Sequence, residues 1–187
     1  EGPDAEYLEF RDRNRITSQL DNITIVGEKI YVTILLPNRR HFTNYSVQEY
    51  DPLLFFEEPW FEKLNGLTGM ESYWVEASPS PFHYEKIAGR YQISLARTLR
   101  RPNYDIFAYV IVTMTDKQMN GIFERLASGQ EVMLVDGSNR IMAHRDRSRI
   151  GEELTYLAGQ EAPSSIVAMD GENMLVAVRN LSIKDWK

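Results

Sequence analysis

Apolar and polar positions along this chain follow two different periods, and the switches between them mark its elements. Ile106 to Val112 is an unbroken apolar run, rich in β-branched and aromatic residues, which predicts a strand covered on both faces. Thr115 follows, with Gln118 three residues on, the spacing of a capping box at a helix start. Met119, Ile122, Phe123 and Leu126 then fall on one helical face. Upstream, Arg90 to Leu99 alternates as a strand, setting Arg90, Gln92, Ser94 and Ala96 on one face and Tyr91, Ile93, Leu95 and Arg97 on the other. Lys29 to Leu36 and Arg40 to Tyr45 read as paired strands around a Pro37-Asn38 turn. Ser72 to Ala77 alternates as a further strand, and Ser78-Pro79-Ser80-Pro81 after it reads as a stiff loop.

Helical signals occupy two other stretches. Ala5 to Leu20 holds no proline or glycine, and Leu8, Ile16, Leu20 and Ile23 supply a thin apolar stripe, as on a helix lying along one side of a fold. Asp51 is placed as an N-cap with Pro52 at the first helical position, and the pattern runs through Leu54, Phe55, Trp60 and Leu64 to Gly66, with Pro59 set to kink or split it. Beyond Glu131 a smaller unit begins. Val132 to Val135 and Ile141 to His144 form a hairpin with Asp136-Gly137 where a tight turn needs positive φ. Gly151 to Leu157 reads as a short helix, Ser165 to Met169 and Met174 to Arg179 as a hairpin around Asp170-Gly171, and Asp185-Trp186-Lys187 as the entrance to a last strand. The order is α+β: a long N-terminal helix, an antiparallel sheet of about five strands, a connecting helix and a second small sheet. The expected division is 1–28 for the helix and lead-in, 29–127 for the larger unit and 128–187 for the smaller one.

Composition narrows the function classes. A hydrophobic fraction of 43% fits a globular core, and the formal net charge of −6 argues against a general nucleic-acid binder. There is no cysteine, which removes thiol catalysis, disulfides and thiolate metal sites together. No run reaches the roughly 18 apolar residues of a membrane span, and the chain opens on Glu1-Gly2-Pro3 without a signal peptide. Any membrane anchors and output module are expected outside these residues.

The catalytic motifs fail on context. His144-Arg145-Asp146 matches part of a kinase catalytic loop but lacks the glycine-rich loop and Asp-Phe-Gly, so His144 and Asp146 are expected to fix a turn. His41, His83 and His144 have no zinc spacing, and no metal or other cofactor is expected. Carboxylate pairs such as Glu57-Glu58 and Glu152-Glu153 sit among 27 acidic residues and read as solvated surface; a dyad assembled from distant positions stays open. More pointed is the region from Trp60 to Tyr109, where Trp60, Tyr73, Trp74, Tyr84, Tyr91, Tyr104 and Tyr109 lie among Arg90, Gln92, Ser94 and Asp105. Aromatic walls with a few converging polar groups are the general form of a small-ligand pocket, although aromatics also fill cores.

The stretch Tyr104 to Leu154, with its Ile-x-Ala-His-x-Asp and Ile150-Gly151 closing the second hairpin, resembles the double-Cache sensor domains of bacterial membrane receptors, in particular the extracytoplasmic part of sensor histidine kinases. The resemblance implies two PAS-like subdomains, the membrane-distal one larger and ligand-binding, with no catalysis of its own. It implies a homodimer placed outside the cell membrane or in the periplasm, between transmembrane helices, relaying the binding of a sugar, amine or amino-acid-like molecule. Ligand contacts are then expected at Trp60, Tyr73, Trp74, Arg90, Gln92, Ser94 and Asp105. Two departures bear on the ligand: Ser72-Tyr73-Trp74 lacks the preceding arginine of amino-acid-binding members, and Thr113 stands where their aspartate is expected. The competing readings are the input domain of a chemoreceptor or diguanylate cyclase, a non-binding structural or dimerisation module, and a carboxylate-based hydrolase.

Overall fold

The computed structural model describes residues 3–25, 27–82, 91–126, 130–158, 163–169 and 171–180. The chain divides into two compact units, 1–125 and 126–187.

The first unit opens with helix α1, Pro3–Asp21, uninterrupted because proline stands only at its first position. A small ribbon of β1, Thr24–Ile25, and β2, Glu28–Lys29, leads into the main sheet. That sheet contains β3 (Tyr31–Leu35), β4 (His41–Thr43), β5 (Tyr73–Pro79), β6 (Tyr91–Arg100) and β7 (Ile106–Thr115), in the order β4-β3-β7-β6-β5 and antiparallel throughout. The long β6–β7 hairpin supplies its centre. Strand β5 continues into Ser78 and Pro79, where the Ser-Pro repeat suggested a loop. Proline is tolerated there because β5 is an edge strand, and a bulge between Val75 and Ser78 absorbs the misfit.

Register sorts the sheet into two unlike faces. Val32, Val112 and Leu95 pair across one face, where Leu20 and Ile16 of α1 pack against Ile30, Val32, Val110 and Met114. Asn44 joins the two layers: its amide donates to the carbonyls of Leu20 (3.0 Å) and Ile30 (2.8 Å), and its carbonyl accepts from the Val32 N–H (2.9 Å). The other face carries Tyr31, Thr33 and Leu35, then Tyr109, Ile111, Thr113 and Thr115, then Gln92, Ser94, Ala96 and Thr98.

Two short 3-10 helices, Pro52–Glu57 and Phe61–Gly66, cover that second face, instead of one α-helix. Asp51 caps the first through its carboxylate and the Leu53 N–H (2.9 Å), and Pro59 falls in the break between them. The second is pinned by Thr98, whose hydroxyl donates to the Leu64 carbonyl (2.6 Å). Helix α2, Asp116–Leu126, begins with the reciprocal bonds of a capping box: the Thr115 N–H donates to Gln118 Oε1 (2.8 Å) and the Gln118 N–H to Thr115 Oγ1 (3.3 Å). Met119 and Ile122 of its expected apolar face are buried, and Arg125 pairs with Glu28.

In the second unit β8 (Met133–Val135) pairs with β9 (Ile141–His144), and β10 (Ser164–Met169) with β11 (Glu172–Ala177). Asn139, not Gly137, takes the left-handed φ of +61° in the first hairpin. The connection is longer than a two-residue turn: Asn139 N–H returns to the Asp136 carbonyl, and Asp136 Oδ1 accepts from Ser138 and Arg140, so the left-handed residue is the one that follows the turn. Residues 151–157 form only a 3-10 turn, Thr155–Leu157. Leu154 and Leu157 pack on Val135 and Ile141 as a separate small core. The strand expected at Asp185-Trp186-Lys187 lies outside the described residues.

Candidate functional site

The second face of the five-stranded sheet is polar although it is buried. Thr33, Thr43, Gln92, Ser94, Thr98, Thr113 and Thr115 are all buried there. Period-two alternation in β3, β6 and β7 puts their side chains on this face and the aliphatic residues on the other. Most of these groups are bonded within the protein: Thr98 donates to the Leu64 carbonyl, Thr43 to the Tyr45 carbonyl and Thr115 to Gln118 Oε1. Ser94 Oγ and Thr113 Oγ1 lie 2.8 Å apart, and Thr33 Oγ1 meets the Tyr45 hydroxyl at 2.7 Å.

Aromatic rings close over this floor in a continuous cluster. Tyr31 stacks on Phe82 at 4.6 Å and meets Tyr45 edge-on at 5.9 Å; Phe82 lies 5.1 Å from Tyr45 and 5.9 Å from Tyr50. Tyr50 and Phe55 continue it to Trp60, which stacks on Tyr73 at 6.3 Å. Lys63 donates to the Tyr73 hydroxyl (3.0 Å), and Tyr109 donates to Asn65 Oδ1 (2.7 Å).

Burial makes these phenols reluctant to ionise. Tyr31 is pushed up to about 12, first by burial and then by the charge of Glu49. Burial also raises Tyr45 against a lowering hydrogen bond from Thr33, and raises Tyr50 with added repulsion from Glu58, Asp51 and Glu57. All three remain neutral hydroxyls at physiological pH.

The sequence-expected contacts separate into groups. Gln92 and Ser94 lie on the polar floor, and Tyr73 shares their face through its register opposite Ala96. Trp60 belongs to the same aromatic cluster by its stack on Tyr73. Trp74 is paired with Leu95 and therefore stands on the opposite face of the sheet, away from Gln92 and Ser94. Asp105 sits in the exposed tip of the β6–β7 hairpin, where it accepts from Asn103 (2.6 Å). Eight residues of β6 separate Gln92 from that end, roughly 25 Å of strand. Arg90, like Tyr84 and His83, lies outside the described residues.

Sequence reasoning passed over Glu49, Tyr31, Tyr45, Tyr50 and Phe82. For Tyr31 the signal was present, since Tyr31 and Thr33 alternate with Val32 and Ile34 just as Thr113 alternates with Val112 and Met114. Glu49 stands in an irregular polar segment with no period to place it.

In the second unit His144 and Asp146 serve a turn, as expected. His144 Nδ1 accepts from the Asp146 N–H (2.9 Å), its Nε2 meets Glu131 at 2.6 Å, and Asp146 Oδ1 caps the next turn through the Ser148 N–H (2.9 Å) and hydroxyl (2.7 Å). Among the described residues no three His, Asp or Glu side chains converge as a metal site would require, and no helix is long and apolar enough to cross a membrane.

Solved structures share this architecture. The ligand-binding domain of the Pseudomonas fluorescens chemoreceptor CtaA, in complex with L-isoleucine, superposes with a TM-score of 0.62 at 15% identity, over 91% of this chain and 71% of that one. The chain has the fold of the Cache-type sensor domains. The extracellular domain of the putative histidine kinase rpHK1S-Z16 matches equally well, with a TM-score of 0.62 at 15% identity over 93% of this chain and 73% of that one. The ligand-binding domain of the Pseudomonas aeruginosa PAO1 chemoreceptor PctC, in complex with GABA, gives 0.59 at 14% identity over 97% and 88% of the two chains. No protein-family model and no curated protein matches the sequence.

Proposed function

We propose that this chain is the extracellular small-molecule-sensing domain of a bacterial membrane receptor, a two-component sensor histidine kinase, and that the ligand binds over the polar floor of the five-stranded sheet. The reading rests above all on that floor. The floor's hydroxyls are bonded within the protein, and the groups that point to a ligand are the buried acceptors left over, since a buried polar group costs free energy unless it is bonded. Gln92 Oε1 and Glu49 Oε2, both buried, have no hydrogen-bond partner among the described residues, as expected where a ligand supplies the missing donors. The likeness to chemoreceptor ligand-binding domains and to a histidine-kinase extracellular domain supports the same reading at the level of fold.

In this proposal 29–127 is the membrane-distal PAS-like subdomain, 128–187 the proximal one, and 1–28 the signalling helix joined to a transmembrane segment outside these residues. Trp60, Tyr73, Gln92 and Ser94 contact the ligand; Arg90, the other expected contact in this part of the sequence, lies outside the described residues. A homodimer along α1 would let a shift in one domain bias its partner. Signalling follows from a difference in affinity between two conformations of the receptor, which sets the largest shift a ligand can produce. A chemoreceptor output is the second reading, favoured by the CtaA and PctC likenesses.

The test is a thermal-shift screen of the chain against sugars, amino acids, amines and small carboxylates. A specific ligand at a hundred times its Kd adds about 2.7 kcal/mol of stability. At least one class should raise the melting temperature, and Ser94→Val should remove the rise. A folded chain indifferent to every class would reject the sensing reading.

A further inference from the structure

Arg97 makes no ion pair with a carboxylate among the described residues. It stands on the face of the sheet that carries Leu95 and Trp74, away from the polar floor. Its Nε and Nη2 both donate to Ser72 Oγ, at 3.0 and 2.8 Å, which fixes the guanidinium beside the start of β5. Its Nη1 reaches a thioether instead, with Met70 Sδ at 4.0 Å. Thioether sulfur is a weak acceptor, whereas a guanidinium binds oxygen acceptors strongly. The contact is therefore a strong donor set against a poor partner, and one added oxygen would correct the mismatch.

Met70 is also the methionine most open to solvent among those described. It is 78% exposed, against 38% for Met174, while Met119 and Met142 are buried. Susceptibility of methionine to oxidation follows exposure. The turn that presents it is held by its own bonds: the Thr68 N–H and hydroxyl donate to Glu71 Oε2 at 2.7 and 3.1 Å, and the Glu71 N–H returns to the Thr68 carbonyl at 3.0 Å. Gly69 takes the left-handed φ of +56° that lets the chain reverse there.

We propose that Met70 is a modification site, oxidised to the sulfoxide by hydrogen peroxide, and that Arg97 holds the new oxygen. The sulfur attacks one peroxide oxygen; the S–O bond forms as the O–O bond breaks. Sulfur gives up two electrons, and the departing oxygen leaves as water with both peroxide protons. With Sδ 4.0 Å from Nη1, an oxygen added on that side comes within the roughly 2.9 Å of an N–H···O bond. The oxygen then ties the 68–71 turn to β6, three residues before Tyr73 of the aromatic cluster. A methionine sulfoxide is chiral at sulfur. The lone pair turned toward Arg97 yields an oxygen that the guanidinium stabilises as it forms, so the two epimers form unequally. This modification is independent of the sensing role proposed above.

Graded hydrogen peroxide treatment of the intact chain, followed by peptide mass spectrometry, tests the proposal. Met70 should gain its oxygen at a lower dose than every other methionine. The two epimers are told apart by the pair of sulfoxide reductases, one enzyme for each. Their ratio at Met70 should be about fivefold, the scale of one net hydrogen bond. Arg97→Gln should bring the ratio close to one while leaving Met70 the first methionine oxidised. Should that variant fail to fold, the unaltered chain oxidised in urea supplies the level reference. First oxidation at another methionine, near-equal epimers in the folded chain, or an inequality that survives the loss of Arg97 or of the fold would overturn the proposal.

Discussion

Asn44→Ala isolates the joint between α1 and the sheet, the joint through which the proposed signal must pass. Asn44 is 5% exposed, and all its polar capacity in hand goes to main chain: two donated bonds to the Leu20 and Ile30 carbonyls and one accepted from the Val32 N–H. Each such bond contributes about 1 kcal/mol net, and a buried N–H left without an acceptor costs about 1 to 3 kcal/mol. Alanine removes all three at once, and water cannot readily replace them beneath the helix. The expected loss is therefore about 3 kcal/mol. Urea unfolding followed by tryptophan fluorescence measures it, with Trp60 and Trp74 reporting on the first unit. Asn44→Asp should be at least as damaging, because it trades two donors for a charge facing carbonyl oxygens. A loss below about 1 kcal/mol for alanine would refute the reasoning and leave the helix attached to the sheet mainly through Leu20 and Ile16.

Other expectations follow from single groups. Gln118→Ala breaks the capping box and the bond from Gln118 to the Lys29 carbonyl, and should cost about 1 to 2 kcal/mol by the same unfolding assay. Asp146 is held below its ordinary value of 3.8 by its bonds to Ser148, so its contribution is present above that value and is lost as pH falls through the lower folded value. Melting of Asp146→Asn should accordingly trail the unaltered chain at neutral pH and converge with it in acid. The Tyr31 phenol, pushed up to about 12, stabilises the folded chain below pH 10 and ceases to do so as pH rises through the folded value. A tyrosinate titration should show it ionising near pH 12 or only with unfolding, and Tyr31→Phe should remove that step.

Legibility in the sequence followed the range of the interactions. Thr115 with Gln118, Asp51 before Pro52, and the hairpin of Tyr91 to Leu99 with Ile106 to Val112 are local patterns, and the structure realises each of them. The α-helix expected over 51–66 became two 3-10 turns because Pro59 interrupts the hydrogen-bond ladder and Thr98 fastens the Leu64 carbonyl from the sheet. Tyr73 and Trp74 could never share a wall of one pocket, since neighbours in a strand point to opposite faces; that fact was available in the sequence. Glu49 was not readable at all. Its burial depends on how the segment after β4 folds across the sheet, and no periodicity in Ser46-Val47-Gln48-Glu49 encodes that long-range placement. The same holds for Asp105, whose distance from Gln92 follows from the length of β6 and from the turn at its end.

Hydrogen–deuterium exchange tests the central claim most directly, run on the intact chain with and without the compound that raises its melting temperature most in the screen. A ligand seated over the polar floor predicts slowed exchange in β3, β6 and β7 and across residues 44–66, with the second unit little changed. Slowed exchange confined to residues 130–180, or to the outer surface of α1, would contradict it and place binding away from the buried polar face.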